Sequence, residues 1–230
     1  MPRSVVKKGA PRCGGCQYPP RWCICAGFRP LTCPFELDVL IHERESARPT
    51  STGRLINRVL PASRGHVFQH DFSLSRAAIV RPNRVLWILH PHGEPLPAGG
   101  PPDDLQVLLL DGSWREATRM MHGAENWGRT INLPMTGPSR YLLRDHQGAG
   151  QYSTIEALLF LLDAFGLTKE HAHLRLQFDL HVYAGLRARG RQAAAEEFLE
   201  DSPARTVFPE LVQRLAYGRA RSGRAISPNS

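Results

Sequence analysis

Four cysteines crowd near the start of the chain, Cys13 and Cys16 as C-x-x-C and, six residues on, Cys23 and Cys25 as C-x-C. Thiolates in such paired spacing make a tetrahedral zinc shell, and a segment too small for its own core gains folding energy from the metal. The pattern predicts one structural zinc on these four residues, with Cys33 a spare thiol. Tyr18 and Trp22 stand among the ligands, where they pack the knuckle against the body or stack on a base.

A second constellation is LLLDGSW, residues 108–114, which sets Asp111 at the carboxyl end of an apolar strand, where open α/β sheets bind ligands. A carboxylate there is a base or an orienting group, or else merely caps the helix that follows. Trp114 is core or a stacking face. A third stretch combines Ser139, Arg140, Tyr141 and Arg144 with Ser153 and Thr154; an arginine beside a helix N-terminus attracts a carboxylate or phosphate. The fourth, HERESARPTSTGR from His42 to Arg54, carries Arg44, Arg48 and Arg54 but lacks the H-E-x-x-H spacing of a zinc protease. His90 and His92 follow another strand end and are expected to be structural.

These residues need a scaffold. Apolar strands are predicted at 37–41, 85–89 and 107–110, with a further one at 130–133; runs apolar on both faces imply a buried, mostly parallel sheet. Residues 53–60 form a helical stripe that stops at Pro61, and residues 134–152 hold too many Gly and Pro residues for regular structure. Ser153 then opens a helix as N-cap, with Glu156 completing a capping box and Gly166 ending it. Helices are predicted at 191–200 and 208–217. The expected organisation is a cysteine knuckle over 1–34, an α/β body over 35–215 and a basic tail over 216–230, either solvated and disordered or an RNA-contacting arm.

With 230 residues, 42% hydrophobic and 22% charged, the chain can bury an ordinary core. Lysine plus arginine outnumber acidic residues 29 to 21, giving +8, and lysine occurs only at Lys7, Lys8 and Lys169. An arginine-rich excess of this kind suits an anionic partner. The apolar run from Ala157 to Leu162 is far below the roughly 20 residues of a bilayer span, and the N-terminus lacks a secretory apolar stretch, so a cytoplasmic protein without membrane contact is expected. A monomer is the working expectation.

Together the motifs resemble the DTW-domain family, the tRNA-uridine aminocarboxypropyltransferases. The resemblance rests on the cysteine knuckle, His42-x-x-Glu45 running into Arg48-Pro49-Thr50-Ser51-Thr52-Gly53-Arg54, Asp111-Gly112-Ser113-Trp114, PSRYLLR, and Ser153-Thr154-x-Glu156-Ala157. Ser113 replaces the threonine of the name-giving motif, and Ser51 stands where asparagine is common. The resemblance implies a SPOUT-like fold with a C-terminal trefoil knot. It also implies transfer of the 3-amino-3-carboxypropyl group of S-adenosylmethionine to N3 of a tRNA uridine, in the variable loop for the bacterial branch. Cofactor contacts are then expected from Leu89, His90, Pro91, Leu110, Asp111, Leu133, Pro134, Tyr141, Leu142, Arg144, Ser153 and Thr154. Asp111 is expected as base with Ser113, Trp114 and Glu156 beside it, and Arg44, Arg48, Arg54, Arg115 and Arg144 are expected on RNA. The competing readings are a SPOUT methyltransferase and a non-enzymatic zinc-containing RNA-binding protein.

Overall fold

The computed structural model describes residues 9–69, 75–144 and 150–217. Five parallel strands form one sheet: β1 (Glu36–His42), β2 (Arg64–Phe68), β3 (Val85–Pro95), β4 (Leu105–Asp111) and β5 (Arg129–Asn132), in the order β2-β1-β4-β3-β5. β4 lies in the interior of the sheet and is buried along its whole length. Its side chains alternate between two apolar layers, Val107 and Leu109 on one side and Leu108 and Leu110 on the other. The helices are α1 (Glu43–Ser46), α2 (Thr52–Val59), α3 (Arg76–Ile79), α4 (Trp114–Gly123), α5 (Thr154–Ala164), α6 (Thr168–Ala188), α7 (Gln192–Phe198), α8 (Ala204–Val207) and α9 (Pro209–Tyr217). One sheet face carries α2, α5 and α6, whose residues Ile56, Ile155 and Phe178 are fully buried; the other carries Ile79 of α3 and Met120 of α4.

Each predicted strand forms, and three of the four keep their predicted bounds within a residue or two. Helix α2 is one residue earlier than its stripe because the Ser51 hydroxyl accepts from the Arg54 N–H. Helix α5 ends as expected at Gly166, whose φ of +67° reverses the chain. Three features differ from the sequence expectation. Helix α6, 21 residues long, has no polar face to reveal it, since Leu174 and most of Gln177–Ala188 are buried. Strand β2, RGHVF, is a mostly exposed edge without an apolar run. Strand β3 continues past Leu89: Leu89 and Glu94 both register on Ile131, so the residues between them bulge out, and Gly93 passes so close that a Cβ would lie 2.6 Å from the Ile131 backbone.

The cysteine knuckle joins the main core. Tyr18 is buried and donates to the His181 carbonyl, the Gln177 amide donates to the Gly27 carbonyl, and Gly27 abuts Leu180 and Leu211. The chain beyond 217, the expected basic tail, lies outside the described residues.

At the opposite end of the sheet, Asp38 is fully buried and accepts from Arg64, His66 and Gln106, with Arg81 Nε at 3.3 Å. Burial alone would raise its pKa, but the bonds from His66, Arg64 and Gln106 outweigh it and hold the carboxyl below its ordinary range. This contribution to stability is complete above the unfolded pKa of about 3.9 and is lost as pH falls through the lower folded value. Asp38→Asn should therefore cost about 3 kcal/mol at pH 7, at the low end for a broken buried pair because Arg64 is 42% exposed. Urea unfolding should show this advantage constant from pH 7 to about pH 4 and beginning to fall in the wild type below that, with the variant losing less.

Candidate active site and cysteine knuckle

A pocket opens over the carboxyl ends of three neighbouring strands. Its walls are Leu89, His90 and Pro91 from β3, Leu109, Leu110 and Gly112 from β4 and its turn, Ile131, Asn132 and Leu133 from β5, and Ser153, Thr154 and Ala157 at the start of α5. Trp114, at the first turn of α4 and 36% exposed, stands at the rim, and Arg144 and Tyr152 contribute polar groups. Counted out to its open mouth, the hollow has about 730 Å³ of empty space. His90 Nδ1 accepts from the His92 N–H, while its buried Nε2 has no partner among the described residues. Burial, then the neighbouring His92 and His122, lower the His90 pKa, so the ring is neutral and Nε2 is left as the proton-bearing nitrogen.

Of the residues expected from the sequence to meet a cofactor, Leu89, His90, Pro91, Leu110, Leu133, Arg144, Ser153 and Thr154 share this pocket. Pro134 and Leu142 are exposed outside it, and Tyr141 is buried behind it, donating its hydroxyl to the Thr50 carbonyl at 2.6 Å.

Asp111 lies behind the pocket wall. Its Oδ2 accepts from Ser51 Oγ at 2.8 Å, and its Oδ1 accepts from Thr154 Oγ1 at 2.6 Å and Thr52 Oγ1 at 3.3 Å. The carboxylate thus joins the N-termini of α2 and α5. Gly53 makes this possible, since a Cβ there would lie 2.7 Å from Asp111 Oδ2. The alternative in which Asp111 caps α4 is corrected: Ser113 is the N-cap, its hydroxyl accepting from the Glu116 N–H, while Glu116 accepts from the Ser113 N–H at 2.7 Å.

Glu156 is occupied in the same structural way. It accepts from Ser153 N–H and Oγ, from Arg140 N–H at 2.6 Å and from Ser139 Oγ, fastening the PSR turn to the start of α5. Glu45, named in the sequence only as part of the His42-x-x-Glu45 motif and given no role there, is buried and ion-paired to Arg48. Burial, and next the charge of Asp111, push its pKa up, while Arg48 and Arg144 oppose this. The signal available in the sequence was a carboxylate three residues past His42, at the end of β1.

Of the arginines expected on RNA, Arg44 and Arg115 are exposed at the starts of α1 and α4; Arg48 and Arg54 flank the start of α2, and Arg144 faces the pocket. In the knuckle, the four sulfurs of Cys13, Cys16, Cys23 and Cys25 lie within 4.8 Å of one another, with Cys13 to Cys25 at 3.5 Å and Cys13 to Cys23 at 3.6 Å. A tetrahedral zinc with bonds of about 2.3 Å separates its sulfurs by about 3.8 Å, so the cluster fits this ion. Backbone N–H groups of Cys16 and Gly15 favour the Cys13 thiolate and bring its pKa to about 6.

A pocket at the carboxyl ends of parallel strands, walled by a helix N-terminus and an arginine, gives this α/β protein a candidate ligand site, and the four-cysteine knuckle gives it a candidate metal site that shares no wall residue with the pocket. The family model for the DTW domain matches residues 10–185, and the chain belongs to the DTW-domain family. No solved structure matches the chain. Among the described residues no helix is long and apolar enough to cross a membrane.

Protein purified without added metal should carry about one equivalent of zinc, and a strong chelator should release it while exposing four titratable thiols. Well under one equivalent, with the thiols already reactive, overturns the assignment.

Proposed function

We propose that the protein transfers the 3-amino-3-carboxypropyl group of S-adenosylmethionine to N3 of a tRNA uridine. The family is one of tRNA-modifying transferases, and the observation that carries the specific reading is the pocket itself. Its apolar strand ends, Leu89, Leu110 and Leu133, suit an adenosine, while Arg144 and the first turn of α5 at Ser153 and Thr154 suit the carboxylate of the arm. His90 Nε2 offers one further donor. Trp114 at the rim gives the incoming base a stacking face. The reading brings with it the SPOUT-like knot and a cytoplasmic location; support for the knot is the parallel sheet with β4 between β1 and β3.

In the reaction, uridine N3 loses its proton, its electron pair forms the bond to the γ-carbon, and the carbon–sulfur bond breaks so that the sulfonium departs as neutral methylthioadenosine. The protein's part is to hold the arm, turn it toward RNA and accept the N3 proton. Asp111 is poorly suited to accepting that proton: three hydroxyls already donate to it, and it sits behind the wall. It is better read as a positioning residue that sets Thr154 and the start of α5. Glu45, buried and paired with Arg48 outside the pocket's lining, has its proton affinity raised by burial and next by Asp111, and is the second carboxylate to test as base.

The reacted tRNA should gain the mass of an aminocarboxypropyl group with release of methylthioadenosine; a gain of one methyl with S-adenosylhomocysteine identifies a methyltransferase instead. Calorimetry with S-adenosylmethionine that shows no binding leaves a simple RNA-binding protein.

Asp111→Asn replaces one carboxylate oxygen with an NH2 group, so either Ser51 or the Thr52 and Thr154 pair loses its acceptor; S-adenosylmethionine binding should weaken and high pH should not rescue transfer. Glu45→Gln should retain binding and slow single-turnover transfer by about 10²–10⁴-fold, with partial recovery at high pH as N3 ionises unaided. The reverse pattern, normal binding and pH rescue in Asp111→Asn, returns the base to Asp111.

A further inference from the structure

Group transfer in the pocket leaves a second concave region unused. Two hollows flank Pro49 where the cysteine knuckle meets α2 and α6. Gly15, Cys16, Ser51, Arg54 and Arg58 line one; Arg12, Tyr18, Arg48, Thr50 and Arg189 help to line the other. Together they present five guanidinium groups and no aspartate or glutamate in their walls.

The partners of four of these arginines leave their charge uncompensated. Arg12 donates to the Gln17 carbonyl, Arg54 to the Ser46 carbonyl and Arg189 to the Leu143 carbonyl, and Arg58 lies over the Phe28 ring at 4.8 Å. Of the five, only Arg48 has a carboxylate partner among the described residues, Glu45. Elsewhere Arg64, Arg81, Arg129, Arg175, Arg187 and Arg205 each pair with an acid. A carbonyl or a ring orients a guanidinium without neutralising it and leaves other N–H groups for phosphate oxygens. His181, shared between the knuckle and this region, adds no charge: burial depresses its pKa to about 4.

The cleft also adjoins the pocket. Ser51 lines the first hollow and donates to Asp111, and Asp111 accepts in turn from Thr154, which lines the pocket. One carboxylate separates the two. Thr50, in the wall of the second hollow, accepts from Tyr141.

We propose that the cleft on either side of Pro49 binds consecutive backbone phosphates of the RNA strand that carries the target base, with Arg12 and Arg189 on one side and Arg54 and Arg58 on the other. This rests on the tRNA reading above and adds Arg12, Arg58 and Arg189 to it. The cysteine knuckle thereby acquires a role in binding, since it holds Arg12 and one wall of the cleft in place. The strand is gripped by its phosphates while the neighbouring nucleoside reaches the pocket, which gives register without sequence readout at the cleft.

The test uses the metal-loaded full chain and a labelled tRNA transcript, with affinity measured by anisotropy across a salt series. The double variant Arg12→Gln/Arg58→Gln should lose about tenfold or more in affinity at moderate salt. Its log–log salt slope should shrink by about 1.4–1.8, at roughly 0.7–0.9 per phosphate contact removed. S-adenosylmethionine affinity, read by calorimetry, should be unchanged. Arg12→Glu, an exposed position whose hydrogen bond runs to a carbonyl, repeats the test with little risk to folding, and Arg129→Gln, whose partner is Glu94, should alter neither affinity nor slope. Wild-type affinity and slope in both cleft variants overturn the proposal, as does a wild type that binds no tRNA. A wild type with the expected slope and variant effects but no group transfer keeps the cleft and rejects the transferase reading.

Discussion

The site depends on one buried carboxylate that serves two helix ends at once. Asp111 closes β4 and takes hydroxyl bonds from Ser51 and Thr52 at the start of α2 and from Thr154 at the start of α5. An anion removed from water is costly unless its oxygens are satisfied, and here three hydroxyls and two positive helix ends satisfy it. Those same bonds settle where α2 and α5 begin, and the start of α5 forms part of the pocket wall. Gly53 belongs to this device because any side chain there would meet the carboxylate.

The charges around it are graded. Burial and, after it, Asp111 raise the proton affinity of Glu45, while Arg48 and Arg144 limit that rise. Glu116, by contrast, is held below its ordinary pKa: burial opposes this, but the Ser113 N–H and hydroxyl and the charges of His42 and Arg44 prevail. Similar carboxyl groups near one strand end thus differ in readiness to take a proton, a separation that acid–base chemistry requires. Glu156, saturated by the PSR turn and Ser153, has a mechanical part instead.

The RPTST strap from Arg48 to Thr52 mediates between the regions. Its side toward the knuckle lines the basic hollows, and its other side is fastened to Asp111 and Tyr141. The knuckle is fixed in turn by Tyr18 and Gly27 against α6. A metal in the cysteine cluster therefore acts on the pocket only through packing, since the cluster and the pocket have no wall residue in common.

Local chemistry made several parts of the protein readable in the sequence. The four cysteines follow from spacing, the apolar strands from continuous burial on both sheet faces, and α5 from Ser153, Glu156 and Gly166, all features within a short stretch of chain. Many residues of the pocket were legible because they stand at strand ends, where a parallel sheet must present them. Helix α6 was not, because a helix buried around most of its circumference has no amphipathic period. Nor could the sequence show what Asp111 does, since its partners are 59, 60 and 43 residues away and only the folded sheet brings them within 3.3 Å. The same holds for Asp38, a carboxylate inside an apolar run whose burial is tolerable only because Arg64, His66 and Gln106 arrive from other strands. Side-chain type and short-range spacing are properties of the chain; which carboxylate is saturated and which remains able to accept a proton depends on long-range contacts, and only the tertiary structure decides those.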